Sequence, residues 1–220
     1  MIDTMFVASC AVLFVVGYLL GGVPTAFVVG RLRGVDIRRL GSGNVGGTNA
    51  LRVWGAKVGV AVMAADVAKG FVAAGLLPNL PWWVGDRPYL GLCAGGGAVV
   101  GHILSPYLRF RGGKGVAAAA GVLLALAPLP TAIAVGVFAL VVLASGIVSV
   151  ASLTAAATLP LAAYLLHRTG TASLHPAVQA LTLGLVPVVF FTHRANIRRL
   201  VRGEENRFRR LWERRGGRVT

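Results

Sequence analysis

Acidic residues are scarce in this chain: seven Asp and Glu stand against 22 Lys and Arg in 220 residues. Charge of either sign is scarce too, at 13% of the chain, where a soluble domain carries about a quarter. A large separate soluble domain is thereby excluded. Two cysteines, Cys10 and Cys93, lie inside apolar runs and read as small core residues, not as a disulfide or zinc framework. No grouping of His, Cys, Asp and Glu has metal-ligand spacing, so neither a metal nor a cofactor is expected. No basic segment precedes the first apolar run, which argues against a cleavable signal peptide.

What is present is apolar. Hydrophobic residues make up 56% of the sequence and the mean hydropathy is +0.75. The net charge of +15 would suit nucleic acid, but the basic residues fall between and after the apolar runs. That placement marks cytoplasmic loops against anionic membrane lipids, with no nucleic-acid partner.

A bilayer-spanning helix takes about 20 apolar residues, fewer where it is buried or broken. The runs Thr4–Val29, Val58–Leu77, Tyr89–Tyr107, Gly115–Leu126, Thr131–Ser145, Val150–Leu166 and Ala177–Thr192 predict seven transmembrane helices in an all-α polytopic membrane protein. Ala127-Pro128-Leu129-Pro130 reads as a turn rather than a kink, because charge then alternates across the membrane. Arg31–Lys57 carries six basic residues against Asp36, Arg109–Lys114 carries three against none, and Arg194–Arg218 carries ten arginines against three glutamates. Seven spans put all three on one face, with the N-terminus outside and the C-terminus cytoplasmic. The expected organisation is a membrane domain over residues 1–197, with its site at the cytoplasmic face, and a basic cytoplasmic tail over 198–220.

The three basic segments also hold the chemistry. GSGNVGGTNALR, Gly41–Arg52, is not a Walker loop, since it lacks GxxxxGK[ST]. Its glycines admit close approach to backbone N–H groups, and Ser42, Asn44, Thr48, Asn49 and Arg52 add polar donors, the ingredients of an anion site. A flexible linker would not need them together. Arg109–Gly115, RFRGGKG, leads into an apolar helix whose N-terminus suits a phosphate, with Lys114 as point charge. His193 and Asn196, three apart, share a helical face, and histidine is the usual proton handler near neutral pH. Asp66 and Lys69 on the second span read mainly as an internal ion pair, with the cytoplasmic site as the alternative place for Lys69, while His102 and Ser105-Pro106 read as either packing or site lining. The tail from Arg198, with Leu200, Phe208, Leu211 and Trp212 among arginines, suggests an amphipathic surface helix on lipid, ending in a disordered Gly216–Thr220.

From about Gly21 to Glu204 the chain resembles the bacterial membrane glycerol-3-phosphate acyltransferases that use acyl phosphate, the PlsY family. The resemblance rests on GSGNVGGTNALR, Asp66 with Lys69-Gly70, GHILSP at Gly101–Pro106, FRGGKGVA at Phe110–Ala117, Ser149–Ser152 and HRANIRRLVRGEE at His193–Glu205. It departs modestly, with Ala118 where threonine is common and Gly22-Val23-Pro24 in place of Ser-Ile-Pro. It implies transfer of a fatty acyl group from acyl phosphate to the 1-hydroxyl of sn-glycerol 3-phosphate. The products would be lysophosphatidic acid and phosphate, in the first step of phospholipid synthesis at the bacterial plasma (inner) membrane. Carried over by motif, Ser42, Arg52, Lys114, His193 and Asn196 would surround glycerol 3-phosphate. Gly46, Gly47, Thr48, Gly112, Gly113 and Ser149 would cradle the acyl phosphate, with Asn44 in the same substrate-binding loop. No motif carboxylate is well placed as a base, so the proton would pass to His193 or to the donor phosphate. A secondary transporter of a phosphorylated or anionic solute is the rival reading. It predicts internal repeats and a midplane site, and neither is apparent.

Overall fold

A computed structural model describes residues 3–208. Every regular element among them is helical: α1 (Thr4–Gly22), α2 (Thr25–Leu32), α3 (Gly47–Trp54), α4 (Ala56–Phe71), α5 (Arg87–Ile103), α6 (Val116–Leu126), α7 (Pro128–Ser145), α8 (Val148–Arg168), α9 (Pro176–Thr192) and α10 (Arg194–Val201). A bilayer gives backbone polar groups no water to bond, so apolar stretches satisfy them within their own helix. Many large apolar side chains, among them Leu140, Leu161, Leu183 and Phe191, stay exposed, as a lipid-facing surface does.

The spans are fewer on length than the sequence suggested. Thr4–Leu32, Ala56–Asn79, Pro128–Ser145 and Val148–Arg168 are long and apolar enough to cross a membrane. A fifth is gained if α9 and α10, bent by 61°, count as one. α5 has 17 residues and α6 only 11, and at 1.5 Å per residue α6 is roughly 16 Å long, about half the hydrocarbon thickness.

Several ends also move. The first span breaks at Val23-Pro24, where proline offers no N–H and α2 begins anew. The turn expected at Ala127–Pro130 shrinks to Ala127 (φ −146, ψ 64), because α7 already starts at Pro128. Pro128 and Pro130 fit there, since first-turn N–H groups have no intrahelical acceptor. α10 begins before the expected boundary at 197/198 and ends at Val201, and residues 204–208 are not helical. The tail helix therefore does not continue through Phe208, while Leu211, Trp212 and Gly216–Thr220 lie outside the described residues.

The chain forms two compact units. The first runs to Pro128 and includes Leu174–Leu181. In it α1 packs on α5 with backbones in contact: a Cβ on Gly17, Gly21, Gly97 or Gly101 would overlap main-chain atoms of the opposite helix. Gly70 and Gly121 do the same between α4 and α6. This small-residue packing holds helices together where lipid supplies no hydrophobic drive. Leu13, Ala73, Leu90, Ala94 and Ala98 form one core of this unit, and Ala26, Ile37, Val45, Ala50, Val62 and Leu108 the other. The second unit comprises Leu129–Ser173 and the residues from Thr182 onward.

Candidate active site

In the first unit, the Gly-rich segment is a short loop that ends in a helix. Asp36 caps a single 3-10 turn, Ile37–Arg39, and pairs with Arg38, whose guanidinium holds the Asp36 carboxyl down at about 2. The loop's one acid is thus taken by one of its arginines. Beyond it, Gly46 is the N-cap of α3 and Gly47 its first residue, so Gly47, Thr48 and Arg52 are helical rather than part of a backbone nest. Their place at the N-terminus still presents the positive end of a helix. A Cβ on Gly47 would overlap Met63 of α4, so glycine there is required by helix packing, whereas Gly46 meets only Asn44 Oδ1 at 3.1 Å.

Asn49 does not serve as an anion donor. It is fully buried; its Nδ2 donates to Leu40 O (3.0 Å) and Asn44 O (2.9 Å), and its Oδ1 accepts from Ser42 N (2.8 Å). The amide side chain therefore ties the loop shut from inside. Asn44 Oδ1 accepts from Gly46 N at 2.9 Å, an Asx turn. Ser42 is exposed and Thr48 and Arg52 are half-buried.

The second motif is folded back onto α5. Phe110 N donates to Ser105 O (2.8 Å), Gly112 N to Ile103 O (2.9 Å) and Gly113 N to His102 O (2.9 Å). Arg109 (φ 53) and Phe110 (φ 60) both adopt left-handed backbone, a strained pair for non-glycine residues. The N–H groups of Gly112 and Gly113, expected at a phosphate, are taken by α5. What the turn presents is Lys114, half-buried and directly before Gly115, the N-cap of α6.

Beneath these segments lies a buried polar cluster. Lys69 Nζ meets Asp66 Oδ1 at 2.9 Å and donates to Val23 O at 2.9 Å; Thr25 Oγ1 donates to Asp66 Oδ1 at 2.8 Å; Ser105 Oγ donates to Gly22 O at 2.6 Å. Asp66–Lys69 is thus an internal ion pair, as read from sequence, and it also fastens the α1–α2 break. His102 Nδ1 is 3.9 Å from Asp66 Oδ1, too far for a hydrogen bond.

The second unit holds Ser149, His193 and Asn196. His193 occupies the bend between α9 and α10, is buried, and its Nδ1 lies 2.8 Å from Val189 O. A carbonyl can only accept, so Nδ1 carries a proton. Sequence reasoning left Glu205 without a role, although it ends the HRANIRRLVRGEE motif. Its buried carboxylate accepts from Asn196 Nδ2 (2.7 Å) and Ser149 Oγ (3.1 Å) at Oε1 and from Arg199 Nε (2.8 Å) at Oε2. Two expected substrate contacts, Ser149 and Asn196, are thereby held on one acid. An acid following closely on the helix-ending Gly203 was the available signal, but its partners lie up to 56 residues away.

Burial raises the Glu205 carboxyl, but the hydrogen bonds from Asn196, Arg199 and Ser149 outweigh it and leave it below its ordinary 4.5. A carboxylate lowered on folding stabilises the protein above its unfolded value and loses that contribution as pH falls through the folded one. Thermal melting of detergent-solubilised protein should show Glu205→Gln least stable relative to wild type at neutral pH, with the gap closing below pH 4.5. A gap independent of pH would mean that the charge of Glu205 does not support the fold.

These features define an all-helical integral membrane protein that gathers its polar side chains at helix ends and breaks. The chain belongs to the glycerol-3-phosphate acyltransferase family, whose family model matches residues 11–203. It is 40% identical over 221 residues to the glycerol-3-phosphate acyltransferase of Chlorobaculum parvum (87% of this chain, 93% of that one). It is likewise 40% identical over 193 residues to that of Trichlorobacter lovleyi (87% and 94%). Its fold matches the crystal structure of PlsY (YgiH), an integral membrane glycerol 3-phosphate acyltransferase, in the glycerol 3-phosphate form. The TM-score is 0.78 and identity 34%, over 91% of this chain and 96% of that one. The lysophosphatidic acid form gives a TM-score of 0.74 at 33% identity, over 92% and 97%.

Proposed function

We propose that the protein transfers a fatty acyl group from acyl phosphate to the 1-hydroxyl of sn-glycerol 3-phosphate. The observation that carries this is Lys114, set on a turn clamped to α5 and directly before the N-cap of α6. A fixed cation and the positive end of a helix together suit a phosphorylated ligand. In the first unit, Ser42, Arg52 and Lys114 take the acceptor, while Asn44, Gly46, Gly47, Thr48 and the Gly112-Gly113 turn shape the place of the acyl phosphate. In the second, Ser149, His193 and Asn196 are substrate residues on the strength of the family resemblance alone.

The acceptor oxygen attacks the carbonyl carbon of the mixed anhydride, a new C–O bond forms, and the bond from that carbon to the phosphate oxygen breaks. Phosphate leaves readily, so no strong acid is needed. The hydroxyl proton goes to the departing phosphate; the family resemblance offers His193 as the other acceptor. Lys114 offsets negative charge that builds on the carbonyl oxygen and the leaving group. Holding both reactants in line contributes roughly 7–11 kcal/mol in favourable cases. The fold reading that accompanies this is seven crossing segments with α6 a short one, N-terminus outside, and the basic segments on the cytoplasmic face of a bacterial plasma membrane with anionic lipids.

Purified protein supplied with palmitoyl phosphate and labelled glycerol 3-phosphate should release lysophosphatidic acid and phosphate in equal amounts. Absence of product above a Lys114→Ala control overturns the reading.

A further inference from the structure

Within the first unit, His102 touches the Lys114 turn twice. Its carbonyl accepts from Gly113 N at 2.9 Å, and its ring lies against the Gly113 Cα. A Cβ added at Gly113 would overlap Nε2 and come within 3.0 Å of Cδ2 and 3.3 Å of Cε1, with no other residue among its three nearest atoms. The side chain is 7% exposed, and Nδ1 is buried without a hydrogen-bond partner among the described residues. On that side it faces Asp66, itself occupied by Lys69 and Thr25. A buried imidazole nitrogen left unpaired is costly, and an apolar side chain would fill this volume without that cost. A histidine whose ring lies against Gly113, the neighbour of Lys114, supplies both shape and polarity under the turn.

We propose that His102 is a positioning residue for acyl transfer: its ring, backed by the Asp66–Lys69 pair, is the floor on which Gly113 rests and so fixes where Lys114 stands. The proposal rests on the reading that Lys114 acts in the reaction. Gly112 supplies a contrast, because a Cβ there would overlap the His102 and Ile103 carbonyls, which no side-chain change removes.

The test is a pair of double-mutant cycles on the full-length purified enzyme, read as kcat and KM with palmitoyl phosphate and glycerol 3-phosphate. His102→Ala should lower kcat by about tenfold or more, the scale of a sub-ångström to ångström misplacement, with the KM for glycerol 3-phosphate changed less than about threefold. Gly113→Ala should cost about thirtyfold in the wild-type background but less than about threefold in His102→Ala, where the methyl enters vacated space. Gly112→Ala should cost the same in both backgrounds. In the second cycle, which does not depend on Gly113→Ala folding, His102→Ala should add little to the residual activity of Lys114→Ala. Equal costs of Gly113→Ala in both backgrounds, or losses at His102 and Lys114 that multiply, would overturn the proposal. Wild-type activity in Lys114→Ala, or no acyl transfer by the wild type, would instead remove the functional reading beneath it.

Discussion

Lys114→Ala is expected to lower kcat by roughly 10²–10³-fold, the usual loss when one preorganised electrostatic donor is removed. The size follows from where the cation stands. Lys114 follows Gly112 and Gly113, whose N–H groups are fixed to α5, and precedes Gly115, the N-cap of α6. The ammonium is therefore delivered from a backbone with little freedom, beside a helix terminus worth about half a positive charge. Charge that is already in place when the carbonyl oxygen turns negative needs no reorganisation, so its loss falls mainly on kcat. Lys114→Arg keeps the charge but spreads it over a planar fork of different reach, and should recover only part of the rate. Steady-state kinetics on both variants, with circular dichroism to show retained helix, decide the matter. If Lys114→Ala raised KM alone, the lysine would bind ground-state phosphate without acting on the transition state.

Asn49→Ala is expected to be nearly as damaging, by a different route. The buried amide donates to the Leu40 and Asn44 carbonyls and accepts from Ser42 N. Alanine leaves those three backbone groups without their partner, at about 1–3 kcal/mol for each that stays buried. The loop would open at Ser42, and the α3 N-terminus would lose its approach. Asn49→Asp is the sharper variant, since a carboxylate can accept from Ser42 N but cannot donate to either carbonyl. It should be no better than alanine at neutral pH. Turnover, together with melting temperature, provides the check: either variant retaining activity within about threefold would show that the loop stands without its internal tie.

The contrast between these two residues shows where the sequence was legible. Lys114 could be singled out because its meaning is local: glycines before it, an apolar helix after it, basic neighbours on the same predicted face. Asn49 sat in an equally visible motif and was read as a donor for ligand, because nothing in GSGNVGGTNALR tells an outward amide from one turned in on Leu40 and Asn44. Glu205 shows the same limit at longer range, since its partners Ser149 and Asn196 lie on elements far apart in the chain. Gly47, Gly112 and Gly113 read as ligand-approach glycines, yet a Cβ on each would also overlap a neighbouring helix: Met63 of α4 at Gly47, the His102 carbonyl at Gly112 and the His102 ring at Gly113.

The sequence by itself determined that this is an all-helical membrane protein, which segments are apolar helices, and which three basic segments carry its polar motifs. It could do so because a bilayer forces each segment to satisfy its own backbone, making secondary structure a local property of hydropathy. Only the tertiary structure decided where helices break, how short α6 is, and which polar side chains face one another. Those depend on close packing between residues far apart in the chain: a glycine on α1 admitting the α5 backbone, a carbonyl at the α1–α2 break finding Lys69, an imidazole on α5 lying under Gly113. Hydropathy has no term for such pairings, because their energies belong to geometry in three dimensions and not to any one stretch of chain.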